Sequence, residues 1–311
     1  LFMVDGLLFA GFRLRQSDSQ LKPPPPSISR LNSPVHQIRA YLRQLKEMTS
    51  MSLQGKTIVI TGAASGIGAA CAAEAKSLGA KVIAVDRNEP TAGLCDQFIR
   101  ADLSRADSID AVAGEIQGGV DALCNIAGLP PTRGGALVLQ VNFVGLRRLT
   151  LSLLPKLNDG ASIVNLGSLA GFGWAEQVDQ VRALLDVDSL DDVATFCTQH
   201  GVDDARAYFL SKEALITWTL QRRWQWRARG IRMNAVSPGP VETPIHQDFL
   251  QTLGERAEED MRLLERAGQA EDIAPLVVFL CGEGSRWIRG VNIPCDGGMA
   301  AHILCQQAGI D

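Results

Sequence analysis

Tyr208 and Lys212 are the residues of this chain best suited to moving a proton. Four positions apart on a helix, their side chains stack on one face. A free phenol has a pKa of ~10 and is a poor base near neutrality. A cation held beside it favours the phenolate, and the tyrosine then serves as a general acid or base. Such a pair needs a scaffold that brings a reactant to it, so the surrounding elements decide its use.

The chain has 311 residues, 46% hydrophobic and 21% charged, which is ordinary for a soluble globule with a sizeable core. A net charge of −4 argues against a nucleic-acid or anionic-membrane partner. The seven cysteines are scattered, without a Cys-x-x-Cys pair, and read as free thiols in a reducing cytoplasm. With four scattered His and no ligand spacing, no metal site is expected. The apolar start, Leu1 to Ala10, is broken by Asp5 and is too short to span a bilayer. Residues 1–52, with the run Pro23 to Pro26, read as an N-terminal extension, disordered or foreign to the fold. Met48 and Met51 lie just before the first patterned segment.

From Lys56 onward strands and helices alternate. Thr57–Thr61 is a β-branched run typical of a buried strand. Further strands are expected at Lys81–Val85, Phe98–Ala101, Val120–Cys124, Ser162–Leu166, Ile231–Val236 and Val291–Cys295. Helices are expected over Gly66–Leu78, Asp107–Ile116, Leu137–Leu154, Ala205–Arg229 and 271–281. This order predicts an α/β fold: a doubly wound, parallel, seven-stranded sheet of the Rossmann type, with helices on both faces. Residues 53–311 form one such domain.

Thr61-Gly62-Ala63-Ala64-Ser65-Gly66-Ile67-Gly68 leaves the first strand and opens a helix. Gly62 permits a tight turn, Gly66 lets backbone approach a phosphate, and Gly68 lets the helix pack on the sheet. The helix N-terminus offers N–H groups to a pyrophosphate. Asp86 ends the second strand, about 20 residues on, where a carboxylate can hold ribose hydroxyls and repel a 2′-phosphate. NAD is therefore favoured over NADP, although neighbouring Arg87 could contact a phosphate. Asp102-Leu103 ends the third strand, at the adenine edge. Cys124-Asn125-Ile126-Ala127-Gly128 ends the fourth, with small residues that let a cofactor pass.

With these motifs the sequence resembles the short-chain dehydrogenase/reductase family from about Leu53 to the C-terminus. Thr61–Gly68 and Asn125-Ile126-Ala127-Gly128 carry the resemblance, Ile replacing the family's second Asn. Asn142, Ser168, Tyr208 and Lys212 match its catalytic tetrad. Pro238-Gly239, with Val241 and Thr243, matches the segment that holds a nicotinamide, and Asp296-Gly297-Gly298 matches a C-terminal motif. The resemblance implies hydride transfer between a nicotinamide cofactor and a small-molecule alcohol or carbonyl compound. It implies that Tyr208 moves the proton, Ser168 orients the substrate oxygen, and Lys212 lowers the tyrosine pKa and binds ribose. Asn142 would hold a water linking Lys212 to solvent.

The connection from Ser168 to Tyr208 is longer than in most members, with an insertion at about 174–204. A subgroup of bacterial 3α-hydroxysteroid dehydrogenases/carbonyl reductases resembles it in this, which implies a homodimer rather than a tetramer. Segments 121–132, 168–174 and 208–215 also resemble bacterial coniferyl-alcohol dehydrogenases, implying an aromatic alcohol as substrate. Pro130, Phe172, Trp174 and Phe249 could flank a flat ring, and equally a steroid. Residues 242–268 are expected to form a substrate lid.

Overall fold

The computed structural model describes residues 52–244, 248 and 262–310. The N-terminal extension (but for Ser52), Phe249 and most of the expected lid lie outside the described residues. Seven strands form one parallel sheet: β1 (Thr57–Thr61), β2 (Lys81–Asp86), β3 (Gln97–Arg100), β4 (Val120–Asn125), β5 (Leu157–Leu166), β6 (Arg232–Pro238) and β7 (Asn292–Cys295). Their order is β3-β2-β1-β4-β5-β6-β7. Val59 pairs with Ile83 on one side and Leu123 on the other. Successive strands run outward in opposite directions from β1 and β4, so a crevice opens at the carboxyl ends of that pair.

The expected strands are present, with shifted ends. β5 begins at Leu157, before the apolar run, and its register to β4 is irregular between Val120 and Ala122. The helices are α1 (Gly66–Ser77), α2 (Ala106–Glu115), α3 (Gly135–Leu139), α4 (Leu146–Leu153), α5 (Val178–Leu185), α6 (Val193–Gln199), α7 (Asp204–Gln221), α8 (Ala270–Cys281) and α9 (Met299–Ala308). The single helix expected over Leu137–Leu154 is interrupted by a π-helical turn, Gln140–Gly145, which carries Asn142. Such turns widen a helix locally and recur at functional positions. The helix expected over Ala205–Arg229 stops at Gln221 and continues as two 3₁₀ turns.

Two apolar layers flank the sheet. One, around Phe143, Leu149, Leu215 and Trp218, lies under α2, α4 and α7, with Val181 and Phe196 from the insertion packed into it. Phe143 meets Trp218 edge to face, with ring centroids 6.3 Å apart. The other layer packs α1 and α8 against the opposite face through Cys71, Ala72, Ile273 and Val277. β1 is buried along nearly all its length, as a strand covered on both faces must be.

α7 is buried nearly all round, because the sheet takes one face and the segment 169–185 another. Asp203 caps it by accepting from Arg206 N at 2.7 Å. Asp204 accepts from Gly135 N at 2.6 Å and joins α7 to the start of α3. The acidic end of the insertion thus serves two backbone amides.

Candidate active site

The crevice between β1 and β4 is a cavity of about 410 Å³. The glycine-rich turn forms its wall. Gly62 has φ +71°, and a Cβ there would lie 2.8 Å from the Ala127 Cα, so the turn and the end of β4 touch backbone to backbone. Thr61 fixes that contact: its hydroxyl accepts from Ile126 N at 2.9 Å and Ala127 N at 3.0 Å. Gly62, Ser65, Gly66, Ile67 and Gly68 all line the cavity. Ser65 makes no side-chain capping bond to α1, so the first-turn N–H groups are not taken up by their own cap.

Asp86 and Asp102 both line the outer end of the cavity, with Leu103. Asp86 accepts from Ala64 N at 3.0 Å and from Asn88 N at 2.9 Å, which fixes the carboxylate between the turn and the end of β2. Asp102 accepts from Ser104 N at 2.9 Å and from the Ser104 hydroxyl at 2.7 Å. Burial alone would raise its pKa. The Ser104 bonds, with Arg87 and Arg105 nearby, outweigh that and hold the carboxyl below its usual range.

Ala127 and Gly128 line the cavity as expected, but Asn125 does not. Asn125 is fully buried beneath the floor, and its Nδ2 donates to Thr150 Oγ1 at 3.0 Å and Asn165 Oδ1 at 2.9 Å. Asn165 continues the chain to Thr219 Oγ1 at 2.9 Å. Asn125 therefore ties β4 to β5 and to the helices behind them. It is the last residue of β4, and strand alternation turns it to the face covered by α4 and α7.

Of the later segment, Thr243 lines the cavity, whereas Pro238, Gly239 and Val241 do not. Pro238 pairs with Cys295, Gly239 abuts Asp296, and Val241 pairs with Gly268 in a two-residue ribbon. These residues set the path that delivers Thr243.

Asn142, Ser168, Tyr208 and Lys212 do not line the cavity themselves; Lys212 Nζ donates to the carbonyl of Leu166, which does, at 2.8 Å. Lys212 Nζ also stands 5.8 Å from the Tyr208 ring centroid. Ser168 is hydrogen-bonded to Tyr208. Burial pulls the Lys212 amine down to about 8. Burial also pushes the Tyr208 phenol up to about 12, against the pull of Ser168. Desolvation thus outweighs the pull of Ser168 on the phenol, and low-dielectric surroundings penalise the charged forms of both Tyr208 and Lys212.

The Asn142 amide grips the backbone of Leu129, accepting from its N–H at 2.7 Å and donating to its carbonyl at 3.0 Å. It also donates to Ser211 Oγ at 3.4 Å. The contact that the structure gives its side chain therefore positions the loop after β4. A Cβ on Gly128 would lie 3.5 Å from Asn142 Oδ1 and 3.9 Å from Lys212 Nζ, which brings the loop, the π turn and α7 to one point.

Pro130 is buried and lines the cavity. Phe172 and Trp174 lie on the 3₁₀ segment Leu169–Ala175 that follows Ser168; they are half-buried and do not line the cavity. Thr132 donates to Asp248 Oδ1 at 2.5 Å, linking the turn Pro131–Arg133 to the stretch expected as the lid. Sequence reasoning missed Leu129, Arg133, Leu137 and Val141, which line the cavity. They lie just beyond the Asn125–Gly128 motif, and only the folding back of α3 brings them to the opening.

These features fit a nicotinamide dinucleotide. The turn and β4 approach without side chains between them, first-turn amides adjoin the cavity, carboxylates end β2 and β3, and a buried amine stands behind the lining residue Leu166 with the phenol beside it.

Comparison with known proteins agrees. A family model described as "short chain dehydrogenase" matches residues 56–178, and one described as "Enoyl-(Acyl carrier protein) reductase" matches residues 192–300. The chain is 42% identical over 253 residues to the coniferyl-alcohol dehydrogenase of Pseudomonas sp. (strain HR199 / DSM 7063), covering 81% of this chain and 99% of that one. It is 29% identical to the 3-alpha-hydroxysteroid dehydrogenase/carbonyl reductase of Comamonas testosteroni, over 78% of this chain and 96% of the relative. The solved 3-alpha-hydroxysteroid dehydrogenase of Pseudomonas sp. B-0831, complexed with NADH, is 32% identical. It superposes with a TM-score of 0.68 over 80% of this chain and 98% of its own. The cavity, its closing residues and these likenesses together make the chain an oxidoreductase that belongs to the short-chain dehydrogenase/reductase family.

Proposed function

We propose that this protein is an NAD-dependent alcohol dehydrogenase that interconverts coniferyl alcohol, or a related aromatic alcohol, with its aldehyde. One observation carries the proposal: Ser168 bonds Tyr208, and Lys212 bonds the carbonyl of Leu166, which lines the same cavity as Asp86. A bound nicotinamide would supply the hydride exchange. The protein's own groups handle the proton. Tyr208, kept protonated near neutrality by burial, gives its proton to a carbonyl oxygen or takes one from a hydroxyl. Ser168, already bonded to Tyr208, orients that oxygen. Lys212 and Leu166 hold the inner end of the ribose-binding region together.

NAD over NADP follows from Asp86. Its carboxylate is fixed by two amides at the end of β2, where a 2′-phosphate would meet a negative charge. The aromatic alcohol follows from the likeness to the coniferyl-alcohol dehydrogenase. The test is NADH formation from coniferyl alcohol and from androsterone, with NADP tried in parallel. Oxidation of coniferyl alcohol with NAD is expected. Oxidation of neither alcohol would overturn the substrate assignment.

A second reading is a 3α-hydroxysteroid dehydrogenase/carbonyl reductase. It draws on the helices α5 and α6 between Ser168 and Tyr208 and on the likeness to the NADH-bound steroid enzyme. A third, a non-catalytic NAD(H)-binding module, is disfavoured by the complete Asn142, Ser168, Tyr208 and Lys212 set. The same proposal takes the protein to be a cytoplasmic homodimer joined through β7 and α9. Helices α5 and α6 pack along α3 and α7, and Arg147 Nη1 donates to the Leu185 carbonyl at 2.6 Å to hold them there.

A further inference from the structure

Glu213 follows Lys212 on α7 and is turned to a different face of the helix. Its side chain is only 4% exposed, yet it ends in a carboxyl group. Both oxygens are taken by one guanidinium: Arg206 Nη1 donates to Oε1 at 2.8 Å and Nη2 to Oε2 at 2.5 Å. The two residues are two helical turns apart, beyond the usual surface pairing at three or four positions. The remaining donor, Arg206 Nε, reaches Gln180 Oε1 at 2.7 Å on insertion helix α5. Gln180 in turn donates to the His200 carbonyl at 3.2 Å, where α6 ends. A chain of hydrogen bonds, buried at Glu213 and exposed at His200, therefore runs from the residue beside Lys212 to both helices of the insertion.

The segment Leu169–Ala175 lies under this chain. It leaves Ser168 and runs flush along α7. A Cβ on Gly171 would stand 2.7 Å from the Lys212 carbonyl oxygen and 2.6 Å from Ile216 Cδ1. A Cβ on Gly173 would stand 3.8 Å from Glu213 Oε1 and 3.4 Å from Glu176 Oε2. Gly173 sits between Phe172 and Trp174, the two aromatics nearest in sequence to Ser168. Their positions, and that of Ser168, depend on how the segment seats against Glu213.

A buried ion pair is a poor device for stability, because apolar residues of similar volume often do as well. Its directed, bidentate geometry instead fixes one register. We infer that Arg206 and Glu213 are positioning residues that seat the Ser168–Trp174 segment against α7 and so set the reactivity and selectivity of the site. This inference rests on the reading of Ser168, Tyr208 and Lys212 as the reacting set. Neither residue touches the reacting atoms, and neither lines the cofactor cavity.

The test compares wild type with Glu213→Gln, Arg206→Lys and the apolar pair Arg206→Met/Glu213→Leu. The readouts are thermal stability, NADH affinity by fluorescence, alcohol oxidation per NADH-binding site, and hydrogen exchange over residues 168–175. NADH affinity is expected to stay within about twofold of wild type, since the cofactor wall is built elsewhere. In each variant kcat/KM for the alcohol should fall about tenfold to a hundredfold, the scale of a small misplacement of reacting groups. KM should rise most for the bulkiest alcohols, and exchange over 168–175 should speed up. Arg206→Lys, which keeps the charge but not the fork, should fall short of wild type. The apolar pair keeps the test open if single variants fold poorly: restored stability without restored kcat/KM supports the inference. Wild-type kcat/KM and exchange in a folded apolar pair would overturn it. If wild type itself oxidises no alcohol, the dehydrogenase reading fails, and exchange over 168–175 alone decides this one: faster exchange supports it and unchanged exchange overturns it.

Discussion

Lys212 Nζ donates to the Leu166 carbonyl oxygen at 2.8 Å, so α7 is tied to the end of β5 just before Ser168. Both partners are held by different elements, and only the packing of helix on sheet sets their separation. The bond satisfies one donor of a lysine held inside the protein, while desolvation draws its pKa down.

That depression has a consequence for stability. Burial draws the Lys212 amine down to about 8 in the folded protein, below its ordinary value of 10.5. Below 8 both states carry the proton, and the folded state bears the full cost of a buried charge. Between 8 and 10.5 the unfolded chain binds more protons, so the Lys212 contribution to stability rises with pH. The buried thiol Cys71, raised by burial, acts oppositely at alkaline pH, so wild type alone does not isolate the effect. The stability advantage of Lys212→Met over wild type should shrink by about 3 kcal/mol between pH 7.5 and 10.5. Urea unfolding at several pH values measures it, and a constant difference would contradict the burial argument.

Tyr208→Phe keeps the ring and its packing but removes the proton. Turnover should drop by about 10³-fold, while NADH fluorescence titration gives wild-type affinity. With the phenol near 12, alcohol oxidation in wild type should rise with pH above neutrality, and carbonyl reduction should not. Unchanged turnover in Tyr208→Phe would remove this residue from the mechanism.

Asp86 accepts two amides at the end of β2. Replacing it by Ser removes the charge that opposes a 2′-phosphate. The ratio of kcat/KM with NADP to that with NAD should rise at least about tenfold. Steady-state kinetics with both cofactors checks this, and an unmoved ratio would place the discrimination at another residue.

Gly62→Ala forces a Cβ to 2.8 Å from the Ala127 backbone at φ +71°. Overpacking and backbone strain together should cost about 2 to 4 kcal/mol. NADH affinity should fall as well, because the turn and the end of β4 must separate. Calorimetry and fluorescence titration on the same sample test both effects.

Asn125→Ala separates a structural residue from a binding one. It removes the bonds to Thr150 and Asn165 in the sheet interior. A loss of about 2 kcal/mol in stability is expected, with little change in the KM for NAD. A raised KM at unchanged stability would return Asn125 to the cofactor site.

Much of this molecule was legible along the chain. β-branched runs such as Thr57–Thr61, bounded by Gly and Asp, mark strands whose periodicity depends only on near neighbours. The glycines of the first turn were legible for the same reason, since φ and close approach are local demands. The bonds of Asn125 to Thr150 and Asn165 were not legible, because their partners lie far along the chain and meet it only where α4 and α7 cover the sheet. The break in the helix at Gln140–Gly145 left no trace in an apolar pattern compatible with one continuous helix.

The sequence by itself determined the alternation of strands and helices, the nucleotide-binding turn, and the identity of the groups able to move a proton. All of these rest on residue type and short-range spacing. Tertiary structure decided which of those groups meet, and in what medium. Ser168 reaches Tyr208, and Lys212 reaches Leu166, only because α7 packs against the end of β5 and the segment that follows it. Burial, which no spacing encodes, then reversed the expected shift of the phenol, because desolvation depends on everything packed around a group rather than on its neighbours in the chain.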